Sequence, residues 1–135
     1  MAGKQDAFLL IDSAPIIYFL EGHPKFGPYF KPLFDAHGAG QLRFAVTTIT
    51  IAEVLSRPLQ AADDALARRY RAILESWQPI ALDVDIAESA ARLRASLRLK
   101  PADAVQAGSA LVINAAVQVT HDGDFSRVGS LRIIS

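Results

Sequence analysis

The chain has 135 residues, contains no cysteine and carries 14 basic and 14 acidic side chains, which give it no formal net charge. The absence of cysteine excludes disulfides, thiolate zinc sites and cysteine nucleophiles, and is compatible with a reducing cytoplasm. The balanced charge excludes a strong overall attraction to nucleic acid, although the placement of the charges can still favour a polyanion.

Length and hydrophobicity together predict one folded domain, 1–135. Hydrophobic residues make up 51% of the chain, enough for a core without external staples. The first apolar run is too short for a signal-peptide core or a membrane span. We therefore expect a cytoplasmic protein that has no membrane contact.

Strand and helix patterns alternate from one end of the chain to the other. In chain order, the sequence predicts a strand over 8–12, helices over 13–22 and 26–37, a strand over 43–48, helices over 50–56 and 63–77, a strand over 80–83, helices over 85–99 and 101–114, and strands over 117–120 and 131–134. Such alternation is typical of an α/β fold, with helices on both faces of a mostly parallel sheet.

Local signals set several of the predicted helix boundaries. Ser13 is expected to be the N-cap of the first helix. Thr50 and Glu53 have the spacing of a capping box, and Pro58 is expected to interrupt the helix that they open. A second capping box is predicted at 85–88.

Apolar side chains predict which face of each helix is buried. The inward residues are expected to be Ile16, Ile17, Phe19 and Leu20 in the first helix, Leu66, Tyr70, Ile73, Leu74 and Trp77 in the fourth, and Ile86, Ala90, Leu93 and Leu97 in the fifth. The last helix consists of small and apolar residues, so it is expected to pack closely against the sheet.

Four acidic residues stand where a predicted strand ends or a predicted helix begins: Asp12, Glu53, Asp103 and Asp122. Each has a local explanation, because acids are favoured at helix N-termini and Asp-Gly is a common turn pair. Together, however, they occupy equivalent edges of successive strand–helix units. Ligands bind at the carboxyl ends of the strands in such sheets, so we expect the four carboxylates to converge.

Converging carboxylates raise each other's pKa values and lower stability unless a cation compensates. Mg²⁺ or Mn²⁺ suits the set, because a hard cation is held by a few carboxylates while it keeps waters and takes up phosphate oxygens. The expected metal ligands are Asp12, Glu53, Asp103, Asp122 and Asp124. Asp122 and Asp124 compete for the fourth position, and Asp122 is favoured.

The three histidines do not form the helical i,i+4 pair that zinc hydrolases use. His23 and His37 are expected to be surface or loop residues, and His121 to be a neighbour of the site rather than a ligand. Glycine-rich phosphate loops, the dinucleotide fingerprint and a nucleophile elbow are all missing from the sequence. Cofactor enzymes are therefore excluded.

Four ordered motifs carry a family resemblance over nearly the full length. An apolar strand runs into Asp12 and Ser13, a Thr-x-x-Glu motif opens a helix at 50–53, Asp103 lies in the first turn of a helix, and a strand is followed by a Thr-x-Asp-x-x-Phe-like motif at 120–125. In these motifs the chain resembles the PIN-domain ribonucleases, and within them the VapC-like toxins of bacterial toxin–antitoxin pairs. One departure is Ala14, where many relatives carry Asn or Ser.

The resemblance implies a three-layer α/β/α PIN-like fold and Mg²⁺- or Mn²⁺-dependent endonucleolytic hydrolysis of RNA. Asp12 and Asp103 would be the principal ligands of a first metal ion, and Glu53 would position or deprotonate the attacking water. Asp122 would complete the site or assist a second ion, so one or two metal ions are both open. The resemblance also implies a type II toxin–antitoxin system, a cognate antitoxin protein and a homodimer.

Hydroxyl and basic side chains near the acidic motifs are the predicted substrate contacts. Hydrogen bonds to substrate are expected from Ser13 and Thr120, and phosphate contacts from the basic residues that border the acidic motifs, Arg57, Arg98, Lys100 and Arg127. Ordinary surface charge explains each basic residue equally well. A catalytically inactive binding module and a single-stranded DNA nuclease of the same fold remain the alternative functions.

Overall fold

The computed structural model describes residues 8–121 and the backbone of residues 133–134. Its elements in chain order are β1 Phe8–Ile11, α1 Ser13–Glu21, α2 Phe26–Gly38, β2 Arg43–Thr47, α3 Thr48–Gln60, α4 Asp64–Glu75, β3 Gln78–Ile80, α5 Val84–Leu97, α6 Pro101–Val112, β4 Val117–Val119 and β5 Ile133–Ile134. The predicted order of strands and helices and the α/β fold class are confirmed.

The strands form one sheet in the order β3-β2-β1-β4-β5, and every neighbouring pair is parallel. β1 lies at the centre, where Leu10 is paired with Ala45 on one side and Gln118 on the other. The Asp12 backbone N–H continues this pairing by donating to the Val119 carbonyl at 2.9 Å. The ends of β1, β2 and β4 therefore lie side by side.

Helices cover both faces of the sheet. Leu9 and Ile11 belong to a large apolar cluster with side chains from α1, α2, α3 and α4. Leu10, which points to the opposite face, packs with Ala45 and with Ala110 of α6. This arrangement explains why β1 is a continuous apolar run, since both of its faces are buried.

The small residues of α6 permit close packing, as predicted. Gly108 lies so close to α5 that an added Cβ would stand 3.0 Å from the backbone nitrogen of Ala90. Ala104 and Ala107 are buried between the two helices, in a cluster with Ala90 and Leu99. α6 is thereby held between the sheet and α5.

The predicted N-caps are wrong in all three cases. Asp12, not Ser13, occupies the N-cap position of α1, and its side chain makes no capping hydrogen bond there. Thr47 caps α3 by accepting from the Thr50 backbone N–H, and Asp83 caps α5 in the same way. One residue separates β1 from α1, and α3 begins directly after β2. The residue at the end of each strand therefore becomes the N-cap. The residues predicted as N-caps, Ser13 and Thr50, lie inside the helices instead.

Two proline predictions also need correction. Pro58 does not interrupt its helix, because α3 continues to Gln60 and the burial of Val54 and Pro58 compensates for the one missing backbone hydrogen bond. Pro79 lies inside β3, which covers 78–80 rather than 80–83. β3 is at the edge of the sheet, where a strand tolerates proline.

Two residues that were predicted to face inward are largely exposed. Ile73 is 40% exposed because α4 buries the face that contains Ala67, Tyr70 and Leu74. Phe19 is 38% exposed, although its ring stacks on Phe34 at a centroid distance of 4.1 Å. Within residues 8–121, no helix combines the length and apolar character that crossing a membrane requires.

Candidate functional site

Asp12 is the most buried acidic group of the candidate site. It follows directly on β1 and is only 7% exposed. Gln106 Nε2 donates to its Oδ1 at 2.6 Å, and Gln118 Nε2 lies 3.4 Å from each of its two oxygens. The Thr120 hydroxyl is a further hydrogen-bond partner of the carboxylate. An apolar sheet thus contains one carboxylate that is surrounded by amide and hydroxyl donors.

Burial raises the pKa of Asp12 from its ordinary value of 3.8 to about 6. Hydrogen bonds from Thr120, Gln106 and Gln118 favour the charged form and limit the rise, whereas the nearby negative charge of Asp103 adds to it. A positive charge placed beside Asp12 would offset both the desolvation and the repulsion from Asp103, which disfavour the ionised carboxylate.

Asp103 and Glu53 are brought to the same end of the sheet as Asp12. Asp103 lies in the first turn of α6, where the helix dipole favours an acid. Its charge raises the pKa of Glu53 as well as that of Asp12, so it is an electrostatic neighbour of both. Partial desolvation is the larger cause of the raised Glu53 pKa, and a hydrogen bond from Ser13 opposes it.

Asp103 is thus an electrostatic neighbour of both other described acids. Between residues 8 and 121, however, no three His, Asp or Glu side chains are close enough together to hold a metal ion, so the convergence of the acids into a metal site stays a prediction. Asp122, Asp124 and Arg127 lie outside the described residues. The structure therefore places three of the predicted acids, and the fourth position remains a prediction.

The donor set has the chemistry that a hard divalent cation requires. Its members are carboxylates, and burial raises the pKa values of Asp12 and Glu53 while repulsion from Asp103 adds to both. Gln118 adds a buried Oε1 that has no hydrogen-bond partner among the described residues. Oxygen-rich groups with unrelieved negative charge match Mg²⁺ or Mn²⁺ and do not match a soft metal.

Sequence reasoning missed three buried polar residues that contact or support Asp12: Thr47, Gln106 and Gln118. A signal for two of them was present. Gln118 interrupts an apolar strand, and Gln106 stands among the small residues of α6, so each is a polar side chain in a segment that packing requires to be buried. Such a residue needs a buried partner.

The predicted substrate-contact residues have different environments. Ser13 and Thr120 bond to the acids themselves, to Glu53 and Asp12 respectively. Arg57 forms a two-point ion pair with Glu21. Two further basic residues flank the start of α6 and are exposed, Arg98 at the C-cap of α5 and Lys100 at the N-cap position of α6.

The histidines lie in aromatic surroundings. The Tyr18 hydroxyl and His121 Nδ1 are 2.9 Å apart, which places His121, the residue before the predicted fourth acid in the sequence, beside α1. His23 Nδ1 accepts from two backbone N–H groups at the start of α2, in keeping with a loop position. His37 is not a loop residue, because it lies in α2 and stacks on Phe44 at 4.2 Å.

The aromatic residues of α2 divide between the core and the surface. Phe30 and Phe34 are buried in the large apolar cluster. Tyr29 is 58% exposed and Phe26 is half-buried beside His121. Only the latter two are available to line a surface.

Three solved structures share this fold. A chain of a toxin–antitoxin complex from Klebsiella pneumoniae is 23% identical, with a TM-score of 0.74 and coverage of 94% of this chain and 96% of that one. VapBC2 from Rickettsia felis, bound to a promoter DNA fragment, is 20% identical with the same TM-score and coverage of 94% and 97%. VapBC-1 from nontypeable Haemophilus influenzae is 21% identical, with a TM-score of 0.74 and coverage of 95% and 97%.

Comparison with curated protein sequences gave no match. The sequence model of the PIN domain matches residues 9–131, a range that begins in β1 and includes all the predicted acids. Both the sequence match and the parallel sheet agree with the resemblance drawn from the four motifs. The chain belongs to the PIN domain family.

Proposed function

We propose that this protein is a Mg²⁺- or Mn²⁺-dependent endoribonuclease and the toxin of a type II toxin–antitoxin pair. The observation that carries the proposal is the position of Asp12, a buried carboxylate at the carboxyl end of the central strand with Asp103 as its charged neighbour. A folded protein gains no stability from such an arrangement in the absence of a cation, which is typical of a functional site.

The cation would be held by Asp12 and Asp103, with Asp122 or Asp124 completing the set. When bound, a divalent ion supplies Lewis acidity, which neutralises phosphate charge and makes water a stronger acid. Gln118, whose Nε2 approaches Asp12, also has an Oε1 without a hydrogen-bond partner among the described residues. Asp12, which follows β1, and Asp103 of α6 would thus both contribute to the cation site.

Glu53 would act on the attacking water. Its raised pKa makes it a stronger base than an ordinary glutamate, while the hydrogen bond from Ser13 holds one end of the carboxylate. Attack by an external water rather than by the RNA 2′-hydroxyl leaves a 5′-phosphate and a 3′-hydroxyl. This chemistry predicts the ends of the products.

RNA is the proposed substrate because the four motifs resemble those of ribonucleases. Arg98 and Lys100 are exposed beside the start of α6 and would contact the phosphates on either side of the cleaved bond. Thr120 is buried and would act through its hydrogen bond to Asp12. The balanced net charge favours recognition of an exposed RNA loop over bulk electrostatic attraction.

The proposed partners follow from the structural neighbours. Several of them were solved as toxin–antitoxin or VapBC complexes, some with DNA bound. By that likeness this protein would pair with a cognate antitoxin and form a homodimer in the cytoplasm. Tyr29 and Phe26 would belong to a contact surface, since exposed aromatic residues are enriched at interfaces.

The test is cleavage of a structured RNA, and of single-stranded DNA with the same sequence, in Mn²⁺, in Mg²⁺ and in EDTA. We expect RNA cleavage that EDTA stops and Asp103→Asn abolishes, with 5′-phosphate ends. Induced expression in bacteria should arrest growth, and the Asp103→Asn variant should not. Cleavage of DNA alone would identify a DNA nuclease. No cleavage, together with no Mn²⁺ binding by calorimetry, would identify a binding module.

A further inference from the structure

Gln106 connects the three elements that carry the described acids. It lies in α6, one turn after Asp103, and its Nε2 donates to Asp12 Oδ1 at 2.6 Å. Its Oε1 accepts from the hydroxyl of Thr47, which is the N-cap of the helix that carries Glu53. One side chain therefore joins the end of β1, the start of α3 and the first turns of α6.

We infer that Gln106 is a positioning residue, which fixes the Asp12 carboxylate in the orientation that binds the cation. The inference rests on the proposed function, because it assigns Gln106 a role in that same site. Gln106 would touch neither the metal nor the RNA, and it would act through Asp12 alone.

The hydrogen bonds leave Gln106 one orientation. Thr47 Oγ1 accepts from the Thr50 backbone N–H at 3.1 Å, and its own hydrogen has two acceptors, Gln106 Oε1 at 2.5 Å and Thr50 Oγ1 at 3.2 Å, of which Gln106 is the closer. The Gln106 amide is thereby oriented with its Nε2 group towards Asp12. Thr47, Gln106 and Asp12 are all less than 10% exposed, so water does not compete for these groups.

Gln118 does not provide the same constraint. Its Nε2 lies 3.4 Å from both oxygens of Asp12, a long contact that does not select one oxygen over the other. Among the described residues, its Oε1 has no hydrogen-bond partner that would fix the amide on that side. The short, directed contact from Gln106 is what determines the orientation of Asp12.

Four single variants of the full chain are compared first. Gln106→Leu removes both hydrogen bonds with little change in volume, and Thr47→Val removes the hydroxyl that orients the amide and that also caps α3. Thr47→Ser restores a hydroxyl and is the rescue variant. Ser109→Ala is the matched control, because Ser109 is buried in the same helix and donates only to the Val105 carbonyl.

The first measurement is the NMR signal of the Gln106 side-chain amide in metal-free protein, assigned by its loss in Gln106→Leu. We expect Thr47→Val and Asp12→Asn to shift this signal, and Thr47→Ser and Ser109→Ala to leave it near its original position. If the Gln106 amide signal shifted in neither Thr47→Val nor Asp12→Asn, the inference would be overturned.

The second measurement is Mn²⁺ affinity by calorimetry together with kcat and KM for RNA. Loss of a residue that orients a ligand lowers metal affinity or turnover by about 10- to 100-fold, so we expect this of Gln106→Leu, with KM for RNA nearly unchanged. Thr47→Val should cause a smaller loss of Mn²⁺ affinity, and the Mn²⁺ affinity of the double variant should equal that of Gln106→Leu, because Thr47 acts on Asp12 through Gln106.

If the losses of Mn²⁺ affinity in Gln106→Leu and Thr47→Val multiplied in the double variant, the inference would be overturned. A loss in Ser109→Ala as large as that in Gln106→Leu would also overturn it. The two proposals fail in different ways. If wild-type protein neither bound Mn²⁺ nor cleaved RNA, the proposed function would fail together with the metal-binding role of Gln106. A wild-type protein that is active while Gln106→Leu keeps full Mn²⁺ affinity and kcat would overturn this inference alone.

Discussion

Arg57 and Glu21 form a two-point ion pair, in which Nε and Nη2 of Arg57 donate to Oε2 and Oε1 of Glu21 at 2.5 and 2.9 Å. Arg57 follows Glu53 by one turn of α3, so it stands beside the candidate site. Its charge is already matched by Glu21. An RNA phosphate would therefore have to displace a carboxylate to bind Arg57.

The first prediction concerns this pairing. Glu21→Gln should release Arg57 and strengthen RNA binding at low salt, because one more phosphate can be neutralised. The dependence of log affinity on log salt should steepen by about 0.7 for a single-stranded target. Binding is measured by fluorescence anisotropy in the Asp103→Asn background, which prevents cleavage.

Glu75→Gln is the control for this effect. It breaks the exposed Arg71–Glu75 pair of α4, which involves none of the candidate site residues. The two variants remove the same charge, so an equal change in the salt dependence would show that only net charge matters and that Arg57 has no special position.

The second prediction separates the function of Asp103 from its contribution to stability. Asp103→Asn should lower RNA cleavage by more than about 100-fold, as expected for loss of a metal ligand. Loss of the favourable helix-dipole interaction costs about 0.3 to 1 kcal/mol, and relief of repulsion on Asp12 offsets it. The free energy of unfolding in EDTA should therefore change by less than about 0.5 kcal/mol.

Urea unfolding with and without Mn²⁺ provides the matching measurement. At 100 times its dissociation constant, a ligand stabilises the protein that binds it by about 2.7 kcal/mol. Wild-type protein should show such a gain and Asp103→Asn should not. Equal stabilisation of both proteins by Mn²⁺ would contradict the assignment of Asp103 as a ligand.

The places of Asp12 and Asp103 in the fold could be predicted because they depend on patterns that are local in sequence. An apolar run closed by Asp12 identifies a strand end, and Pro101 two residues before Asp103 identifies a first helical turn. Parallel order then brings the two to one edge of the sheet. The same local patterns placed the caps wrongly, since Thr47 is both the last residue of a strand and the N-cap of a helix.

The contacts of Asp12 could not be predicted from the sequence. Gln106 is 94 residues away and Gln118 is 106 residues away, and both meet Asp12 only because of the strand register and the height of α6 over the sheet. Neither the strand register nor the position of α6 over the sheet can be derived from hydrophobic patterns or from helix and strand propensities. A buried glutamine indicates that a polar partner exists, but it does not identify which one.

The third prediction is a pH dependence of stability caused by Asp12. Its pKa is about 6 in the folded protein and its ordinary value is 3.8, so the folded state holds the proton more tightly. Between these values the free energy of unfolding falls as pH rises. Each pKa unit corresponds to about 1.4 kcal/mol, so the loss is about 3 kcal/mol and is complete above about pH 6.

Urea unfolding in EDTA between pH 4 and pH 7 measures this effect, with Asp12→Asn as the control that lacks the titrating group. The stability of wild-type protein relative to Asp12→Asn should fall by about 2.4 kcal/mol across that range, most of the full effect. Saturating Mn²⁺ at pH 7 should restore much of it. A relative stability that stays constant with pH would mean that Asp12 titrates normally in the folded protein.

The fourth prediction tests how closely α6 must pack to hold the site. Gly108→Ala would gain about 1 kcal/mol in helix propensity, but its Cβ would stand 3.0 Å from the Ala90 nitrogen and 3.3 Å from the Ile86 carbonyl oxygen. Overpacking against atoms that do not yield costs about 1 to 3 kcal/mol, and these are backbone atoms, so we expect net destabilisation of about 1 to 2 kcal/mol.

Gly108→Ala should also lower cleavage activity by more than its loss of stability explains. A shift of α6 moves Asp103 and Gln106 together relative to Asp12, and small displacements of catalytic groups reduce rates steeply, so cleavage should drop about tenfold under conditions where the variant is fully folded. Gly38→Ala is the matched control, since its Cβ meets nothing within 4 Å. That variant should be as stable as wild type or slightly more stable, with full activity. Full activity in Gly108→Ala as well would show that the site tolerates movement of α6.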